Sequence, residues 1–157
     1  MLGHWTPHKR YVRFAISELR KLAKTHPEQI REHYLAICKM LILDLDPMKA
    51  EVAPLYPPIG KMAEMQMEVY RSCVLMRHVD VPLNNWVARL ENNPVLRALA
   101  GFSAWHMPRT SSYYDFMNRI VNLDERPTIK QFKKKPKGKL GKNVKQPPKN
   151  LALKGKT

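Results

Sequence analysis

The chain has 157 residues, 44% of them apolar, and a formal net charge of +15. This length and apolar content suit one domain with a single buried core. The uninterrupted apolar runs fall far short of the roughly 20 residues that a membrane-spanning helix needs, so no membrane-spanning segment is expected. Two cysteines in a chain of this size do not form a disulfide framework, which favours a reducing, cytoplasmic environment.

The positive charge is concentrated in one part of the chain. Residues 126–157 contain Arg126 and eleven lysines without an acidic residue, whereas residues 1–125 contain sixteen basic and thirteen acidic side chains. We therefore predict a nearly balanced body over residues 1–125 and a flexible, Lys/Pro-rich basic tail or linker over residues 126–157. Such a tail attracts polyanions, either nucleic acid by counterion release or an anionic membrane by its surface potential.

Helical periodicity runs through the body, and no window alternates as a strand would. The predicted helices cover, in chain order, residues 9–24, 27–43, 60–76, 83–91, 94–100 and 110–121. Four prolines within residues 44–60 favour an irregular connection. Met62, Met65 and Met76 are expected on the core face of the third helix. The fold class predicted from this pattern is all-α, a small multi-helix bundle.

The last two predicted helices have clear boundaries. Asn93 before Pro94 is a typical N-cap and first-turn pair, and Gly101 suits the left-handed position that follows a helix. The connector GFSAWHMPR predicts a helix-turn-helix-like pair with a long turn. The residues expected to pack this pair into the core are Leu96, Leu99, Phe102, Tyr113, Phe116 and Ile120.

The polar residues of this pair are candidate DNA ligands, because guanidiniums, hydroxyls and backbone N–H groups at a helix start can bind phosphates. The candidates are Arg97, Arg109, Thr110, Ser111, Ser112 and Arg119. In a purely structural interpretation the hydroxyls would only cap a helix and the arginines would form a solvated face. The candidate phosphate ligands of the tail are Lys130, Lys133, Lys134, Lys135, Lys137, Lys139 and Lys142. Contacts of the tail lysines would be independent of DNA sequence.

A stretch of the body also resembles a known family. ENNPVLRALAGF, a short loop, a proline and then TSSYYDFMNRI are similar to the helical N-terminal region of bacterial and archaeal insertion-sequence transposases with an Asp-Asp-Glu catalytic domain. The matching residues are Asn93, Pro94, Leu96, Arg97, Gly101, Phe102, Pro108, Ser111, Tyr113, Phe116, Arg119 and Ile120. The resemblance is clearest over residues 84–121 and implies a module for DNA transposition that docks the enzyme on transposon DNA or pairs two protomers.

The resemblance implies no catalysis by this chain. The family's catalytic domain holds two divalent metal ions, such as Mg²⁺, on three carboxylates, and the sequence after Arg126 contains no Asp or Glu. We therefore expect no catalytic residue, no metal site, no cofactor and no small-molecule substrate here. The chain would be the front part of a transposase-like protein, from a truncated gene or an interrupted reading frame for example.

Two other functions are compatible with the same residues. The helices could form a dimerisation or assembly module, a homodimer for example, with the tail as an inert linker. The chain could also be an RNA-associated basic protein, although it lacks an aromatic RNA-binding motif. Duplex binding with and without residues 126–157 separates DNA binding from assembly, and competition with structured RNA separates DNA from RNA.

Overall fold

The computed structural model describes residues 1–60 and 62–121, and these form an all-α bundle. Its helices are α1 (His8–Thr25), α2 (Pro27–Glu32), α3 (Tyr34–Ile42), α4 (Lys49–Val52), α5 (Gln66–Val79), α6 (Leu83–Asn92), α7 (Pro94–Ala100) and α8 (Thr110–Val121). Within the described ranges, β-pairing is limited to two isolated bridges. The predicted all-α fold class is thereby confirmed. The predicted basic tail, residues 126–157, lies outside the described residues.

Helix α5 occupies the centre of the bundle. It packs against α3, α7 and α8, while α7 also contacts α1 and α6, and α8 contacts α6. The core prediction for the last two helices is largely confirmed, because Leu96, Leu99, Phe102, Tyr113 and Phe116 are buried and Ile120 is half-buried. Burial of each such side chain stabilises the fold by about 1.5–3 kcal/mol.

Helices α7 and α8 lie where the sequence predicts them. The Asn93 Oδ1 atom accepts a hydrogen bond from the Leu96 N–H at 3.0 Å, which is the predicted N-cap. Gly101 ends α7 with a φ of 91°, in the left-handed region. Both helices pack more extensively on α5 and α6 than on each other. The pair is therefore held by the supporting helices that α7 and α8 share. A compact helix-turn-helix would instead be held by one interface between its two helices.

The prediction of a single helix over residues 27–43 is wrong, because His33 interrupts the helix between α2 and α3. His33 has φ −104° and ψ 18°, outside the helical range. Its side chain is buried, and its Nε2 atom lies 2.8 Å from the Asn93 amide nitrogen. A tertiary bond to the start of α7 thus fixes His33 in a position that interrupts the helix.

The irregular connection predicted over residues 44–60 is only partly correct. It contains two 3₁₀ turns, Asp46–Met48 and Ala53–Leu55, with α4 between them. Each 3₁₀ turn has a proline near its start, where the missing N–H costs no internal hydrogen bond. Val52 and Leu55 are buried, so this segment belongs to the core.

The helix predicted over residues 60–76 corresponds to α5, which begins at Gln66, later than the sequence predicts. The preceding residues pair with the N-terminal segment instead, since the Gly3 N–H donates to the Ala63 oxygen at 3.0 Å. A Cβ on Gly3 would lie 2.4 Å from that oxygen, which explains the glycine. Met65 adopts a positive φ of 58° just before the helix. The core position predicted for Met62 is wrong, because this side chain is exposed.

A buried polar network joins three helices. The Trp86 Nε1–H of α6 donates to the Ser72 Oγ of α5 at 2.8 Å, and the Tyr113 hydroxyl of α8 lies 2.7 Å from the same oxygen. A fully bonded network of this kind favours one arrangement of the core. It holds α8 in a defined position against α5 and α6.

Candidate nucleic-acid interface

The first turn of α8 presents part of the predicted ligand set. Arg109 and Ser111 are exposed, whereas Thr110 and Ser112 are half-buried. The three hydroxyl residues are the first three residues of α8, so they lie inside the helix and not before it, where a capping residue would stand. The exposed positions are Arg109 and Ser111, which lie at the positive end of the helix dipole.

Arg97 lies in α7, on another part of the surface. Its side chain is half-buried, and its Nη1 donates to the Glu91 backbone oxygen at 3.3 Å. The side chain also lines a shallow pocket of about 270 Å³ next to Trp105. Arg97 is therefore partly restrained by the fold, with its remaining donors near the surface.

The prediction that Arg119 is an exposed DNA ligand is not supported by its surroundings. Its Nη1 donates to the Leu55 oxygen at 3.2 Å, and its guanidinium lies 4.9 Å from the centre of the Tyr56 ring. Burial raises the pKa of the Tyr56 hydroxyl to about 12, although the Arg119 charge opposes this shift. The side chain attaches α8 to the segment that follows α4. Tertiary contacts invisible in the local sequence give this arginine a structural role.

Trp105 is a surface residue that was not among the predicted DNA ligands. It lies in a tight turn of the α7–α8 connector, where the His106 N–H donates to the Ser103 oxygen at 3.4 Å. Its side chain is 97% exposed. Exposing a large aromatic ring to water is energetically unfavourable. Such rings often stack on bases or fill a partner's pocket. The signal available in the sequence was a tryptophan between turn-forming residues.

Helix α1 carries the strongest concentration of positive charge among the described residues. We define the α1 basic face as Lys9, Arg10, Arg13, Arg20, Lys21 and Lys24, all of which are exposed. At about 100° per residue, these six side chains fall within an arc of roughly 120°. Tyr11, Ala15 and Leu19 occupy a different side of the helix and are buried. The bundle thus uses one side of α1 for the core and presents the cations to solvent.

The cations of this face are largely free of acidic partners. Lys21 pairs with Glu18 at 2.6 Å, and in the described part of the chain the other five form no ion pair. With a rise of about 1.5 Å per residue, the face extends over about 22 Å. Apolar periodicity predicts this helix over residues 9–24 but does not indicate the basic face, which was not among the predicted DNA ligands.

Trp105 lies next to a flank of α1 that adjoins the basic face. The pocket beside Trp105 and Arg97 is also lined by Phe14, Glu18 and Leu22 of α1. Phe14 directly adjoins the Arg10 and Lys21 edge of the basic face in angular position. The aromatic ring therefore lies beside the flank of α1 that adjoins the basic face, next to Glu18, and not on the basic face itself. The candidate lysines of the tail lie outside the described residues.

Comparison with family models, with curated proteins and with solved structures finds no match to this chain. The resemblance to transposases accordingly stays a prediction from the sequence. In the ranges that the structure describes, none of the helices combines the length and the apolar character needed to span a bilayer. Within the same ranges, no three His, Cys, Asp or Glu side chains are grouped closely enough to hold a metal ion.

Proposed function

We propose that this chain is a DNA-binding module that, in a transposase-like protein, positions transposon DNA for a metal-dependent catalytic domain outside this chain. The observation that carries the proposal is the α1 basic face, with six exposed cations on one side of a helix fixed by its buried side. A row of cations at this spacing neutralises successive phosphates and releases their counterions. The lysines of residues 126–157 would add further phosphate contacts.

The proposed binding has two components. Phosphate contacts by the α1 basic face supply affinity without sequence preference. Trp105, beside this face, supplies a ring for stacking against an exposed base or sugar, and Arg109 with Ser111 offers additional donors at the start of α8. Specificity for one transposon end would come from base contacts made by such residues of the body.

The decisive experiment measures duplex affinity by fluorescence anisotropy over a series of salt concentrations. The test variant is Arg13→Gln/Arg20→Gln/Lys24→Gln in the full chain. If each of these cations contacts one phosphate, the slope of log K against log salt becomes shallower by about 2–3. All three side chains are exposed, so the thermal stability of the variant should match that of the parent chain.

The matched control removes three exposed cations elsewhere, Lys39→Gln/Lys49→Gln/Arg77→Gln. It lowers the net charge equally and should change the slope by less than half as much. Equal slopes for the two triple variants would show that α1 is not the DNA-binding surface. Tighter binding of a structured RNA than of a duplex in direct competition would instead favour an RNA-associated protein.

A second candidate function, self-association, is favoured by helix α3. Leu35 and Ile42 are 67% and 81% exposed, and Tyr34 is exposed next to them. Leu43 and Ile42 continue into an apolar pocket of about 510 Å³ that Met40 and Val74 also line. Exposed apolar side chains beside an apolar pocket are typical of a protein interface. A symmetric dimer through α3 is compatible with DNA binding through α1.

A further inference from the structure

Arg71 is a charged side chain in the interior of the bundle. It projects from α5, is 1% exposed, and its guanidinium lies 3.6 Å from the centre of the Tyr11 ring. The Tyr11 hydroxyl donates to the Leu99 oxygen at 2.8 Å, which fixes this ring between α1 and α7. The tyrosine face stabilises one side of the cation. The ring lies over the face of the guanidinium and accepts no hydrogen bond from its N–H groups.

The guanidinium nitrogens of Arg71 lack acceptors. Nε, Nη1 and Nη2 are all buried without a hydrogen-bond partner among the described residues. Glu68 lies one turn earlier, but its Oε1 accepts from the Thr6 hydroxyl at 2.9 Å and forms no ion pair with Arg71. Burial lowers the pKa of Arg71, and electrostatic interactions with Tyr11, Glu68, Asp46 and Asp44 oppose this shift. Buried donors without acceptors are costly, so an acceptor at this place would stabilise the fold.

A pocket of about 210 Å³ adjoins the guanidinium. Its lining consists of His4, Thr6, Arg10, Tyr11, Phe14, Glu68, Arg71 and Gly101. Gly101 leaves room beside the cation, since a Cβ there would lie 3.4 Å from Nη1 of Arg71. His4 and Arg10 are exposed and stand nearer to solvent. The pocket therefore has the buried Arg71 side chain in its wall and a second arginine towards the outside.

We propose that this pocket binds a phosphate group, either inorganic phosphate or the terminal phosphate of a nucleic acid. The planar guanidinium of Arg71 offers parallel donors that match two oxygens of one phosphate. Arg10 supplies a second positive charge, so two arginines outweigh the single carboxylate of Glu68 in the lining. Arg10 also belongs to the α1 basic face, and a DNA end lying along that face would have its terminal phosphate near the pocket.

The test observes Arg71 directly by two-dimensional NMR of arginine Nε–H groups in the full chain, with Arg71→Lys used to assign its signal. Inorganic phosphate is titrated against chloride at equal ionic strength. We expect a saturable shift of the Arg71 signal. An unchanged signal, or one that drifts without saturation, would overturn the proposal and leave water as the partner of this side chain. The titration itself is made on the parent chain, and Arg71→Lys serves only to assign the signal.

Two exposed arginines give a matched pair of variants. Arg10→Gln should weaken phosphate binding about tenfold, since it removes one charged partner. Arg13→Gln removes the same charge one turn further along α1, outside the pocket lining, and should leave the dissociation constant within about twofold. Equal weakening by both variants would mean that the shift reports the general field of α1 and would overturn the pocket assignment.

A second arm identifies the source of the phosphate. Duplexes with a 5′-phosphate and with a 5′-hydroxyl are compared on the Arg71 signal. Once inorganic phosphate has shifted the Arg71 signal, a response to the 5′-phosphate duplex but not to the 5′-hydroxyl duplex assigns the site to DNA ends. A response to inorganic phosphate and to neither duplex assigns it to a free phosphate. The proposal stands independently of DNA binding by α1. The Arg13→Gln/Arg20→Gln/Lys24→Gln variant should lose duplex affinity while it keeps the response of Arg71 to inorganic phosphate.

Discussion

The side chains of His33 and Asn93 form a bond whose direction can be derived. The Asn93 Oδ1 accepts from the Leu96 N–H, so the amide nitrogen of the same side chain faces His33 Nε2. An amide nitrogen only donates, and Nε2 must therefore be an unprotonated acceptor. His33 is neutral with its proton on Nδ1. Its burial lowers its pKa from the ordinary value of 6.5, which Glu32 opposes and Arg89 reinforces.

This bond predicts a pH dependence of stability. A histidine with a lowered pKa binds fewer protons in the folded than in the unfolded chain as the pH falls below about 6.5. The free energy of unfolding should therefore decrease from pH 7 downwards and level off below the folded pKa of His33. Urea unfolding followed by circular dichroism at a series of pH values measures this effect.

Two variants isolate the effect at this site. His33→Gln retains a side-chain oxygen as acceptor but cannot titrate, so the stability of the parent chain relative to this variant should fall as the pH drops below about 6.5. Asn93→Ala removes both the acceptor of the α7 N-cap and the donor to His33, and should cost about 1–2 kcal/mol at neutral pH. A constant difference between His33→Gln and the parent chain at every pH would contradict the assignment.

The arginines show what residue type alone fails to predict. Arg109 is exposed, Arg119 is bonded to Leu55, and Arg71 is buried against Tyr11. Periodicity assigns a side chain to a face of its own helix, but the neighbour that covers this face comes from a distant part of the chain. The pocket at Arg71 is therefore absent from any local pattern. It depends on α1, α5 and Gly101 meeting in space.

At the scale of elements, sequence signals succeed where the local interaction is strong. The Asn93 cap and the Gly101 terminus define α7 correctly, because both act within a few residues. The signals fail at His33 and at the start of α5, where contacts with α7 and with the N-terminal segment determine the backbone. The α1 basic face could have been found from its spacing alone, by plotting the cations around the helix as well as the apolar residues.

Helix α3 makes a prediction about oligomeric state. If its exposed apolar side forms a dimer, Leu35→Glu/Ile42→Glu should dissociate it, because each buried aliphatic side chain contributes about 1.5–3 kcal/mol and a buried unpaired carboxylate adds a further cost. Sedimentation equilibrium over a range of protein concentrations measures the association constant. The expected loss is more than tenfold per substitution.

The control for α3 introduces the same charges at other exposed apolar positions, Ile59→Glu/Val121→Glu. This variant should associate like the parent chain. A parent chain that stays monomeric at every concentration would exclude the α3 dimer, and equal dissociation by both variants would show that net charge rather than this surface governs association.

At the scale of the whole molecule, the positive charge is distributed unevenly between two parts of the sequence. The body over residues 1–125 has nearly balanced charge but gathers six of its sixteen basic residues on one side of α1, whereas residues 126–157 have twelve basic residues and no acidic one. In the proposed DNA complex, the fixed cations of the body would hold phosphates in one orientation. The cations of the tail would add affinity that depends only on charge density and ionic strength.

This division predicts separable contributions to the salt dependence of duplex binding. If about 4 to 8 of the tail cations contact phosphates, removal of residues 126–157 should make the slope of log K against log salt shallower by about 4–7. The buried core described above lies before residue 122, so the shortened chain should keep its helical circular dichroism and its thermal transition. Residual binding by residues 1–125 should then respond to Arg13→Gln/Arg20→Gln/Lys24→Gln and not to the Lys39→Gln/Lys49→Gln/Arg77→Gln control. A shortened chain that stays folded but ignores duplexes at low salt would leave the body with an assembly role, and a slope unchanged by the deletion would remove the tail from the interface.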